Sequence, residues 1–242
     1  LFWQAFPRTG PFQKIRAGLD FRRFHFQENG NLDYRLDYLR WSPQLSLKLK
    51  QAPLAWHSHF INWNAVAVQQ AAAQFDASGK FTGTSKTPLF FQELQVKRLN
   101  RHPLRASQLI LTLDHQRYEV FRERQDYLRL SLEHDIRWLF QENKGIRLRT
   151  FAGTFLLNPR RNSGALLPGA FSLTGQGFND IRYSEYYFGR SEPEGWTTQQ
   201  IALREGGFKN AFGRAFSEGR SNSWMLAFNL STDLPPRLPS WL

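Results

Sequence analysis

A chain of 242 residues with a formal net charge of +12 and no Cys cannot carry a disulfide framework or thiolate metal site. No run approaches the roughly 20 apolar residues of a spanning helix, which excludes a helical membrane protein. Aromatic residues make up 15% of the chain beside 21% charged residues, a mixture suited to strands whose alternate residues face lipid and a polar lumen, where window averages cancel.

The chain opens with Leu1-Phe2-Trp3, without an initiator Met, a basic n-region or an apolar signal core. It reads as a mature product or a piece of a longer polypeptide. Ile15, Ala17, Leu19 and Phe21 then alternate with Lys14, Arg16, Gly18 and Asp20. Glu28-Asn29-Gly30-Asn31 supplies an Asn-Gly turn, and Leu32, Tyr34, Leu36 and Tyr38 alternate with Asp33, Arg35 and Asp37, which predicts a hairpin.

His57-Ser58-His59 puts two histidines on one strand face, as a metal site or a Ser/His hydrolytic pair would use them. A third ligand or an orienting carboxylate is lacking nearby, so interfacial or lumen-facing polar side chains are the plainer reading. In 64–75, Ala65, Ala67, Ala71, Ala72 and Ala73 favour a helix by propensity; a strand is expected there nonetheless. Residues 76–88 read as a long polar connection. A second hairpin joins 89–98 to 106–121 through Asn100-Arg101-His102-Pro103. Within it Asp114 and His115 are adjacent, face opposite ways and cannot act together directly.

The clearest alternation spans 127–140. Leu128, Leu130, Leu132, Ile136, Trp138 and Phe140 share one face, interrupted by His134, while Arg129, Ser131, Glu133, Asp135 and Arg137 share the other. A period of two over this length predicts one long strand. Leu130, Leu132 and Ile136 are expected to face lipid, with Trp138 and Phe140 in an aromatic girdle. Arg129, Glu133, Asp135 and Arg137 are expected to form a lumen-facing polar cluster. Glu133 and Asp135 could also serve as an acid/base pair, but the flanking arginines favour a charge-balanced network.

A polar turn at Glu142-Asn143-Lys144-Gly145 returns the chain into the alternating run Ile146-Arg147-Leu148-Arg149-Thr150-Phe151. Residues 158–180 and 209–221 read as further long connections. The former holds Gly164, Pro168, Gly169, Gly175 and Gly177, and its length makes it a functional or lumen-plugging candidate, with a disordered external loop as the equal alternative. Trp224, Leu226, Phe228 and Leu230 form the last apolar strand face, with Trp224 and Phe228 assigned to lipid or girdle. The run stops before Pro235-Pro236, which cannot continue a central strand. In all, ten or eleven strands are expected, with short turns on a periplasmic rim and long loops on an extracellular one. The last strand leads toward a partner strand that is absent, so closure within this chain is not expected.

No zinc-protease His-Glu-x-x-His, phosphate-binding glycine loop or Gly-x-Ser-x-Gly elbow occurs. The stretches LSLEHDIRWLFQENKGIRLRTFAGTF (130–155), YYFGR (186–190), QQIALREGGFK (199–209) and SNSWMLAFNL (221–230) resemble the C-terminal barrel-like region of large Bacteroidota proteins. Those proteins carry an aminopeptidase-N-like metallopeptidase region ahead of it. The similarity covers roughly residues 103–241, through strand-and-turn signatures that identify a barrel and not an active site. The peptidase motif is absent, so no catalytic residue carries over. More distantly, the chain is similar to surface-antigen barrels that assemble outer-membrane proteins. Their Arg-Gly-Phe lumen motif is replaced here by Gly177-Phe178-Asn179-Asp180-Ile181-Arg182.

These observations predict an all-β transmembrane antiparallel barrel, or part of one, in the outer membrane of a Gram-negative bacterium. It would serve as anchor or passage for a larger envelope protein or complex. Its expected partners are the lipid bilayer and the remainder of the parent chain or another subunit, with no cofactor, no metal and no nucleic acid. Two rivals stand beside it. One is an outer-membrane enzyme with a site at the barrel mouth, using His57 or Glu133. The other is a soluble basic β-protein that binds nucleic acid, against which the local mixing of charge signs argues.

Overall fold

A computed structural model describes residues 1–27, 35–52, 55–75, 77–78, 81–120, 123–142, 144–159, 169–172 and 220–233. All of its regular structure is strand. In chain order these are β1 (Phe2–Ala5), β2 (Phe12–Gln27), β3 (Arg35–Leu49), β4 (His57–Phe75), β5 (Phe81–Arg101) and β6 (Arg105–Val120). They continue as β7 (Glu123–Gln141), β8 (Lys144–Leu157), β9 (Phe171–Ser172), β10 (Arg220–Ser221) and β11 (Trp224–Thr232).

Nine of them form one sheet in the order β1-β2-β3-β4-β5-β6-β7-β8-β11, and β9 pairs separately with β10. Every pairing is antiparallel. Among the described residues β1 and β11 are the two edges and do not pair with each other. Strands β2 to β8 run from 14 residues in β8 to 21 in β5, against about 5–6 in ordinary globular sheets.

Several expectations change in detail. Eleven strands occur among the described residues, nine of them in the one sheet, while β9 and β10 are two-residue pieces far below crossing length. Residues 64–75 are strand as expected, against their helical propensity, because Ala71, Ala72 and Ala73 pair in register with Lys86, Ser85 and Thr84. The same pairing removes most of the expected 76–88 connection. The ladder continues to Phe75↔Phe81, so non-local pairing overrides a Gly/Ser/Lys-rich composition. The Asn-Gly turn at 28–31 lies outside the described residues, as do YYFGR, QQIALREGGFK, 177–182 and Pro235-Pro236.

Register gives the sheet two chemically distinct faces. Ile15, Ala17, Leu19 and Phe21 meet Leu47, Leu45, Pro43 and Trp41 across β2–β3, and Trp63 meets Leu45 and Leu94. Leu94, Leu113 and Leu130 follow in the next strands, and Leu132, Ala152 and Leu226 form another such row. This apolar face is the exposed one: Trp41, Trp63, Val96, Leu111, Leu132 and Phe228 all stand open. The opposite face is polar yet enclosed, with Arg40, Ser42, Asp114 and Gln116 buried beside Phe91, Val68 and Tyr127.

That is the inverse of a water-soluble sheet, where burial selects apolar side chains. On β11 alone, Trp224, Leu226, Phe228 and Leu230 are each more than half exposed. Their combined surface, on the order of 400 Å², equals the largest patch of a typical soluble monomer. The polar face is the covered one, with Phe91 and Tyr127 almost wholly buried on it. A cavity of about 510 Å³ on it is lined jointly from β5, β6, β7, β8 and β11.

Candidate functional site

The enclosed polar face carries the chemistry, and antiparallel register determines which charges meet on it. Between β2 and β3, Asp20 accepts from Arg40 Nη1 at 2.6 Å and also pairs with Arg22 at 2.8 Å. Between β3 and β4, Ser42 and Ser46 donate to Asn64 Oδ1 at 2.8 Å and Asn62 Oδ1 at 2.7 Å. The four residues expected to form a polar cluster all lie on this face, because they alternate along β7. They are not partners of one another. Arg129 pairs with Asp114 of β6 at 2.7 Å, Glu133 with Arg149 of β8 at 2.9 Å, and Asp135 with Arg147 of β8. Glu133 and Asp135 are each engaged by a separate arginine of β8. Arg137 has no ion pair among the described residues.

The Arg129–Asp114 pair is the most enclosed of these, its side chains 11% and 4% exposed. Gln116 Nε2 also donates to the Asp114 carboxylate. A segment of the long connection after β8 docks onto this pair. Arg129 Nη1 donates to the Gly169 carbonyl at 2.8 Å, and its guanidinium lies over the Phe171 ring at 4.8 Å. Phe171 is buried against Phe151, Phe155, Met225 and Ala227 on the inner sides of β8 and β11. Gly153 makes the room, since a Cβ there would lie 2.7 Å from the Phe171 ring.

Of the 158–180 connection, residues 169–172 pack on the polar face, and 160–168 and 173–180 lie outside the described residues. The sequence signal for that seat is Gly153, an isolated glycine within a strand, which marks close approach of another group.

The other sequence-level candidates separate. His57 and His59 share the apolar face at the end of β4, while Ser58 points to the opposite face and donates to Gln51 Oε1 at 3.1 Å. A Ser/His pair is thus not assembled. No group of three metal-ligating side chains occurs among the described residues. Asp114 and His115 diverge as their adjacency demands, with His115 Nε2 3.0 Å from Asp126 Oδ1 on the apolar side.

Aromatic rings mark both ends of the apolar face. Phe21 and Trp41 meet edge to face at 4.6 Å at one end, where exposed Trp224 also begins β11. At the other end Trp56 lies 5.5 Å from His102, Arg105 stands over Trp138 at 5.8 Å, and Phe140 is exposed. Leu130, Leu132, Trp138, Trp224 and Phe228 share the apolar face by register, and Phe140 falls at a register shift. Ile136 is on that face but only 8% exposed, so it is a poor probe of what the face contacts.

No helix among the described residues is long and apolar enough to cross a membrane, which says nothing about crossing by strands. Against family models, curated proteins and solved structures alike, the chain finds no match.

Proposed function

We propose that this chain is a segment of an outer-membrane β-barrel, in which the apolar face contacts lipid and the polar face lines a lumen. It anchors, or forms a passage for, a larger envelope protein or complex. The observation that carries this reading is the inversion of burial: ion pairs are enclosed while Trp41, Trp63, Trp224 and Phe228 are exposed. In water such a face costs roughly 25 cal/mol per Å² of apolar surface, whereas in lipid it is the favourable arrangement.

Two further features support it. Aromatic residues border the apolar face at both ends, as a membrane girdle requires. The apolar stretch also slides along the ladder, from 15–21 in β2, opposite Ala67 and Ile61 in β4, to 224–230 in β11, displaced toward the 142–145 turn. Strands tilted to the bilayer normal, as in membrane barrels, produce such a slide.

With β1 and β11 unpaired to each other, lipid-exposed edges would leave backbone groups unsatisfied at several kcal/mol each. Closure by the rest of a parent chain or by another subunit belongs to the proposal. So does a Bacteroidota parent bearing a metallopeptidase region, on the strength of the strand-and-turn signatures that fall in β7, β8 and β11.

The test uses the purified chain in micelles of a detergent with brominated alkyl chains. A single-Trp variant retaining Trp63 is expected to be quenched strongly, and one with its only Trp placed by Gln95→Trp weakly. Equal quenching of the two, or a monodisperse folded chain without detergent, contradicts the proposal.

A further inference from the structure

The 510 Å³ cavity lies on the polar face at the end where β5 turns into β6 and β7 into β8. Its volume is within the range of small-ligand sites, about 300–1,000 Å³. One cross-strand row runs through it, formed by Arg101 of β5, Ala106 of β6, Arg137 of β7, Arg147 of β8 and Ser231 of β11.

The carboxylates in the cavity are already engaged. Asp135 takes the Arg147 guanidinium, with Nε donating at 2.9 Å to one oxygen and 3.1 Å to the other. Asp233 Oδ2 accepts from the Gly145 backbone N–H at 2.9 Å. Arg101 and Arg137 have no ion pair among the described residues.

The backbones of Arg101 and Arg137 are two strand spacings apart, about 9.6 Å, and the residue between them is the small Ala106. Two long side chains flanking a methyl group can converge on one anion. Arg147, opposite Arg137 on its other side, is committed to Asp135, which leaves Arg101 and Arg137 for an incoming anion. The planar fork of each Arg matches a carboxylate or phosphate oxygen pair.

We infer that this cavity is a binding site for a small multivalent anion bearing carboxylate or phosphate groups, with Arg101 and Arg137 as its principal ligands and Ala106 making the space. The site needs only the covered polar face. It goes beyond the membrane reading, though a lumen would give such a ligand its route.

The test is calorimetric titration of the folded full chain in a non-ionic detergent, at low and high salt, with inorganic pyrophosphate and separately with tricarballylate. Folding of each sample is checked by its β-strand circular dichroism. Saturable binding of either probe is expected. Arg137→Gln and Arg101→Gln should each weaken it at least tenfold, Arg137→Lys should restore part of it, and Arg22→Gln at the far side of the sheet should leave it unchanged. Pyrophosphate alone binding identifies a phosphate site, and tricarballylate alone a carboxylate site. A folded sample that binds neither, or binding indifferent to both arginine substitutions, overturns the inference. A sample that does not fold in detergent counts instead against the barrel reading.

Discussion

At the residue scale the enclosed polar face is held by cross-strand ion pairs whose worth depends on burial. Removing one partner of a buried pair leaves an uncompensated charge and costs about 3–5 kcal/mol. Arg129→Ala should therefore destabilise the chain by about that amount in urea unfolding from micelles. It takes from the Asp114 carboxylate, which is 4% exposed, its Arg129 partner, and releases Gly169 and Phe171. Adding Asp114→Asn should recover part of the loss, and no recovery would mean that the packing of Phe171 dominates over charge.

Asp126 lies past the apolar stretches of β6 and β7, where hydrogen bonds from Arg117 and then His115 hold its carboxyl below the usual carboxylate range. A carboxyl whose folded pKa is depressed contributes stability that is fully present above its unfolded pKa, about 3.9, and is lost as pH falls through the folded value. The β6–β7 hairpin end should loosen below about pH 4 in wild type. Asp126→Asn should remove that part of the acid dependence, read by amide exchange at 117–126.

At the scale of the element, each strand is specified by its period-two pattern, and a single charge on the wrong face tests the pattern directly. Leu132, 41% exposed on the apolar face, is the informative position in β7, where Ile136 is covered. An Arg on a lipid face near the bilayer midplane costs about 2–4 kcal/mol. Leu132→Arg should block folding into liposomes far more than Ser131→Arg, whose side chain enters the polar face. Equal tolerance would contradict the assignment of faces.

Alternation makes most of this legible in the residues themselves: the long strands of 89–98, 106–120 and 127–140, and the face on which each side chain falls. The strand at 64–75 and the missing loop at 76–88 are not legible from local preference. Their conformation is set by the partner strand, since β4 and β5 pair over their whole length.

At the scale of the whole molecule the open order β1 to β11 makes a geometric prediction. The chain has no native Cys, so introduced pairs report proximity cleanly. Thr150→Cys with Phe228→Cys, opposed in register across β8–β11, should form a disulfide readily, because opposed strand residues fall within the Cα separation that a disulfide needs. Gln4→Cys with Asn229→Cys, on the two edge strands, should not cross-link within one chain. An efficient intramolecular cross-link of that second pair would show that the chain closes unaided.

The sequence by itself determined most of the strands, their two faces and the charge of the polar one, because those depend on a local repeat of two residues. Only the tertiary structure decided which charges meet. Arg129 finds Asp114 fifteen residues away and Gly169 forty residues away, and Arg101 aligns with Arg137 through Ala106. Cross-strand register is fixed by pairing between distant segments, and the resulting partners, cavity and docked Phe171 leave no local periodicity to read.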